Sequence, residues 1–60
     1  MLMLMEDSST INVVKDETGK VLARVFMVNG VLHVYRTPCC TIGTYFQILS
    51  FLEEQGYKVL

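Results

Sequence analysis

Residues 20–36 read KVLARVFMVNGVLHVYR. Both halves are rich in β-branched and aromatic residues, which suit a pleated, half-buried surface. They meet at Asn29-Gly30, a pair able to take the two positive-φ positions of a type I′ turn and the strongest short hairpin signal there is. The stretch therefore predicts two antiparallel strands, 20–28 and 31–36. Pro38 ends the second, because proline has no N–H to give to a ladder. A two-residue loop also sets the register. Val28 falls opposite Val31, Phe26 opposite His33 and Arg24 opposite Tyr35, and opposed residues share a face.

Working upstream, residues 11–15 form another β-branched run and predict a strand. Glu17-Thr18-Gly19 reads as a three-residue loop, a type I turn whose glycine takes the left-handed position. That loop pairs Asp16 with Lys20, Val14 with Leu22 and Asn12 with Arg24. One face then carries Ile11, Val13, Val21, Ala23, Val25, Met27, Leu32 and Val34, all aliphatic. The other carries Asn12, Val14, Leu22, Arg24, Phe26, Val28, Val31, His33 and Tyr35. A one-residue slip would turn the first strand over and carry Asn12 into the aliphatic face. Burying an amide is costly, which favours the unslipped register. Further upstream, residues 6–10 are polar and read as a loop, while residues 1–5 are apolar and open between a short strand and a loose end.

Downstream, residues 41–55 predict a helix. Thr44 with Gln47 fits a capping box, with Thr41 as an alternative cap one turn earlier. Gly56 suits the position just past the helix end, and Tyr57 behind it could pack back on Leu52. Residues 57–60 are an apolar tail. The expected fold class is α+β: a three-stranded antiparallel meander over 11–36, one helix on its aliphatic face, and room for a short fourth strand from either terminal segment. Ile42, Tyr45, Phe46, Ile48, Leu49, Phe51 and Leu52 span about 220° of the helix, whereas one sheet needs little more than about 100°. Val25 and Leu49 are expected at the centre of the core, with the surplus apolar surface at Ile48 and Phe51.

Sixty residues make a single domain, 1–60, near the lower limit for folding alone. The hydrophobic share of 52% against 18% charged residues excludes intrinsic disorder. The longest apolar run, residues 1–5, falls far short of the ~20 residues of a membrane span and lacks the basic flank of a signal peptide. A net charge of −1 disfavours a general nucleic-acid binder. Two adjacent cysteines cannot frame a disulfide scaffold, so a reducing cytoplasm is expected.

Cys39 and Cys40 precede the helix, where exposed N–H groups and the macrodipole favour thiolate. Thiol catalysis also needs a positioned base, and His33 is the only histidine. A zinc site wants four ligands with members of a pair spaced apart, so His33 with two adjacent cysteines is a poor set and no metal or other cofactor is expected. Glu53 and Glu54 fall in the last helical turn, Asp16 and Glu17 in a turn; all four read as solvated charges. Arg24, Phe26, His33 and Tyr35 are the most informative group. Two aromatics, a guanidinium and an imidazole on neighbouring positions of one face suit a protein interface, where Tyr, Phe and Arg are enriched. They also suit stacking of single-stranded bases.

These residues point to a small non-enzymatic interaction protein, a homodimer that binds another protein as inhibitor, adaptor or regulator. The partner or dimer face is Arg24, Phe26, His33 and Tyr35, with Ile48 and Phe51 as a secondary apolar contact. The alternative is a dimeric single-strand nucleic-acid binder on the same face, and the third reading is a thiol-dependent redox protein.

Overall fold

The computed structural model describes residues 1–6 and 12–60. Its elements run β1 (Met3–Glu6), β2 (Asn12–Lys15), β3 (Val21–Val28), β4 (Val31–Arg36) and α1 (Ile42–Glu54). The strands form one antiparallel sheet in chain order. The class is α+β as expected, and the three-stranded meander is extended by a fourth strand from one of the two terminal segments left open for it. The additional strand is β1, with Leu4 opposite Val14 and Met5 opposite Val13. Glu6, expected in a loop, closes that strand opposite Asn12. The rest of the expected loop and the placement of Ile11 lie outside the described residues. The C-terminal tail contributes only a single parallel bridge, Leu32 to Val59. There the Leu32 N–H donates to the Lys58 carbonyl at 2.7 Å and the Leu60 N–H to the Leu32 carbonyl at 3.0 Å.

The second hairpin follows its turn chemistry. Asn29 (φ 51°) and Gly30 (φ 79°) take the left-handed positions, and Arg24–Tyr35, Phe26–His33 and Val28–Val31 are opposed. The first hairpin also closes through the expected three-residue loop: the Asp16 N–H donates to the Lys20 carbonyl at 3.1 Å and the Gly19 N–H to the Asp16 carbonyl at 3.0 Å. One pair further on, a bulge intervenes. Lys15 is opposite Val21, but Val14 is opposite Ala23. β3 thus carries one residue more than β2, and the remainder of β2 is turned over relative to the sequence expectation.

The correction has a packing reason. The bulge lets Leu22 and Ala23 both enter the core, together with a fully buried Val14. Val13 moves to the opposite face, beside Arg24. The amide penalty that favoured the other register does not arise, because Asn12 is only half-buried at the start of its strand. Among the described residues no buried side-chain nitrogen or oxygen lacks a partner. Thr37 secures the bulged segment. Its N–H donates to the Leu22 carbonyl at 3.0 Å, and its hydroxyl lies 3.1 and 3.0 Å from the Val21 and Leu22 carbonyls.

Thr41, the earlier of the two candidate caps, starts α1. Its extended backbone (ψ 161°) leaves Oγ1 to accept the Thr44 N–H at 3.2 Å. Gly56 (φ 94°) ends it. The Gly56 N–H donates to the Glu53 carbonyl and the Tyr57 N–H to the Leu52 carbonyl, a Schellman pair that satisfies two orphan carbonyls. The helix buries Ile48 and Leu52 completely against Val14, Leu22, Ala23, Val25, Leu32 and Cys40. Leu2, Leu4, Val34, Tyr45, Phe51 and Val59 pack around this cluster.

Two expectations for the helix need correcting. Ile48 is core, not spare surface, and Leu49 is half-buried rather than central. Phe51 also packs inward, half-buried against the cluster. A 220° apolar arc does not specify its own centre. Packing selects the edge on which Ile48 and Leu52 stack one turn apart and leaves Ile42 (56% exposed) and Phe46 (60% exposed) outside. No helix among the described residues is long and apolar enough to cross a membrane.

Candidate functional site

The face of the sheet turned away from α1 is built by alternation along four strands. β3 supplies Arg24, Phe26 and Val28, and β4 supplies Tyr35, His33 and Val31 opposite them. β2 adds Val13 and Lys15, and β1 adds Met5 and Met3. Arg24, Phe26, His33 and Tyr35 therefore form a two-by-two block of adjacent pairs, as the turn chemistry at Asn29-Gly30 implies. The diagonal closes as well. The Phe26 and Tyr35 rings meet edge to face, with centroids 5.4 Å apart and planes at 76°, the geometry that the ring quadrupoles favour.

Arg24, Phe26, Val28 and Tyr35 line an open groove of about 430 Å³. Its walls differ in exposure and chemistry. The two rings support one another, and Phe26 is half-buried, whereas Tyr35 remains 58% exposed and Arg24 is exposed. Val13 is buried between its cross-strand neighbours Met5 and Arg24, so the floor continues apolar toward β1. His33 is half-buried beside Phe26, outside the groove itself. Met3, Met5 and Val28 extend the exposed apolar surface along the same face. Methionine is flexible and polarisable, and it adapts to irregular partners.

The electrostatics of this face are one-sided. Among the described residues it carries Lys15, Arg24 and His33 and no carboxylate. Glu6 is opposite Asn12 on the helix side, Asp16 and Glu17 belong to the first turn, where the Glu17 carboxylate lies 3.7 Å from the Met1 amino group at the edge of the sheet, and Glu53 and Glu54 are in the helix. No carboxylate among the described residues pairs with Arg24.

The cysteines part company. Cys40 is 3% exposed within the core cluster. Burial pushes its thiol up, against a weaker downward pull from the Arg36 guanidinium and with a small further push up from Cys39, so the thiolate is disfavoured there despite the place of Cys40 before the helix. Cys39 is exposed, its sulfur 3.2 Å from the Thr37 hydroxyl. His33 faces away from the core that holds Cys40, and no three His, Cys, Asp or Glu side chains among the described residues gather as a metal site would.

Met3, Met5, Val13 and Lys15 belong to this face, and the sequence pattern alone does not assign them to it. Residues 1–5 do carry a signal, since Leu2 and Leu4 alternate with Met1, Met3 and Met5. The leucines pack on the core and the methionines are exposed. Because both partners in the alternation are apolar, the usual polar–apolar period of two is invisible. No protein-family model matches this sequence, and neither a curated protein nor a solved structure matches it.

Proposed function

We propose that this chain is a small, non-enzymatic interaction protein that works as a homodimer in the reducing cytoplasm. It binds another protein, as inhibitor, adaptor or regulator, through the sheet face centred on Arg24, Phe26, His33 and Tyr35. The observation that carries the reading is the groove of Arg24, Phe26, Val28 and Tyr35, in which an edge-to-face aromatic pair stands beside an exposed guanidinium with no carboxylate partner among the described residues. Binding energy concentrates in such aromatic and Arg anchors once a partner excludes water from them. The opposite face completes the helix-covered core, so the core does not require these side chains.

The test is the double substitution Phe26→Thr with Tyr35→Thr, which keeps strand propensity and removes both rings. Circular dichroism is expected to show the secondary structure retained. Partners recovered by the wild-type chain and identified by mass spectrometry should be lost with the variant, each anchor being worth about 2 kcal/mol or more. Retained partner affinity in a folded variant would exclude this face. Binding of single-stranded oligonucleotides at low salt, weakening steeply as salt rises, would instead identify a nucleic-acid surface.

A further inference from the structure

We propose that two copies of the chain pair through the outward stripe Ile42, Phe46, Leu49 and Glu53 of α1, with the two helices antiparallel. This locates the dimer contact of the homodimer reading above and leaves the sheet face open for a different partner.

The stripe has helix-packing periodicity. Positions 42, 46, 49 and 53 follow the i, i+4, i+7, i+11 spacing and fall within about 60° of one another around the axis. Ile42 is 56% and Phe46 60% exposed, Leu49 is half-buried and Glu53 exposed. The core does not need them, since α1 seats on Ile48 and Leu52. The Phe46 ring is supported from the side by Tyr45, centroids 5.9 Å apart, so it projects as a braced apolar knob rather than folding back.

Charge selects the occupant and its direction. The first turn of α1 has no acidic residue and its last turn no basic one, while Glu53 and Glu54 stand at the C-terminal end. A helix dipole disfavours carboxylates at that end and favours them at the N-terminal end. Within one copy the arrangement is unfavourable. In an antiparallel pair it is reversed: Glu53 of each copy comes beside Ile42 and the positive end of the other's helix dipole, where Thr41 caps only the Thr44 N–H of the first turn. Phe46 then faces Leu49 across the two-fold axis. The contact is self-complementary and closes as a dimer.

Sedimentation of the full chain across a concentration series tests the pairing, with two single variants. Phe46→Ser should weaken dimerisation about a hundredfold or more, since it removes a central aromatic from both halves. Glu53→Lys separates the proposal from a purely structural effect. It should weaken the dimer about tenfold by placing a cation at the other copy's helix N-terminus. In dilute, monomeric solution the same substitution should raise the melting temperature, because a cation suits the C-terminus of its own helix. If both variants dimerise like the wild type, the helix contact is wrong; loss of the dimer in Phe26→Thr/Tyr35→Thr would then place it on the sheet. A wild type that stays monomeric at every concentration would overturn the pairing and the homodimer together, leaving partner binding by the sheet face to its own test.

Discussion

Ile48 and Leu49 are adjacent, equally apolar in the sequence and unequal in the fold. Ile48 is fully enclosed, whereas Leu49 sits at the boundary between core and outer stripe. Truncating Ile48 to Ala leaves a cavity among β-sheet side chains that cannot collapse freely, at a cost of about 2–5 kcal/mol. That is comparable to the whole stability of a small domain, about 5 kcal/mol, so Ile48→Ala should be largely unfolded by circular dichroism at room temperature. Leu49→Ala should remain folded, with a smaller shift in its denaturation midpoint. The reverse order would mean that the helix is seated differently. Cys40 teaches the same lesson about neighbours. Its place in the chain suggests an activated thiol, but it is buried in the core cluster, and desolvation outweighs Arg36.

Local chemistry accounts fully for the hairpin loops. At the first, the Asp16 carboxylate collects the Thr18 hydroxyl, the Thr18 N–H at 2.9 Å and the Lys20 N–H at 3.1 Å. These bonds, the Thr18 hydroxyl foremost, hold the Asp16 carboxyl below its ordinary value. A group whose folded value is lowered contributes stability above its unfolded value and loses it as pH falls through the folded one. The wild-type melting temperature should therefore drop on acidification below the ordinary carboxylate range. Asp16→Asn keeps an acceptor without the charge, so its melting temperature should fall less over the same interval. Parallel pH profiles would contradict the assignment. The strand that follows this loop shows the limit of local reasoning. Gly19 and Asp16 determine the loop, but the bulge one pair later depends on Thr37, fifteen residues beyond Leu22, and on a core that accepts Leu22 and Ala23 side by side.

For the whole molecule, the balance of large terms is close. The unfolded chain would expose about 9,900 Å², and the folded one exposes 4151 Å². With roughly 60% of the difference apolar, burial contributes on the order of 90 kcal/mol at ~25 cal/mol/Å². Ordering the chain costs about 90 kcal/mol at ~1.5 per residue. So small a remainder makes association an effective source of stability. If the chain pairs, its melting temperature should rise with protein concentration by mass action, which calorimetry over a hundredfold range would detect. A constant melting temperature would require the monomer to be sufficient.

Turn and strand chemistry in the sequence determined the α+β class, the Asn29-Gly30 hairpin, the opposition of Arg24 with Tyr35 and Phe26 with His33, and the helix with its Gly56 stop. Each depends on contacts between residues near one another in the chain, where backbone preferences act directly. Tertiary structure decided the rest: β1 as a fourth strand, the turning over of β2, the seating of α1 on Ile48 and Leu52, and the exposure of Ile42 and Phe46. In each of these the competing arrangements are about equally apolar. A Met–Leu alternation, a β2 with Val13 and Val14 in succession and a helix with a 220° apolar arc all offer two acceptable faces. The choice between them falls to volume and to the partners available for backbone groups, which exist only once the sheet and the helix have come together.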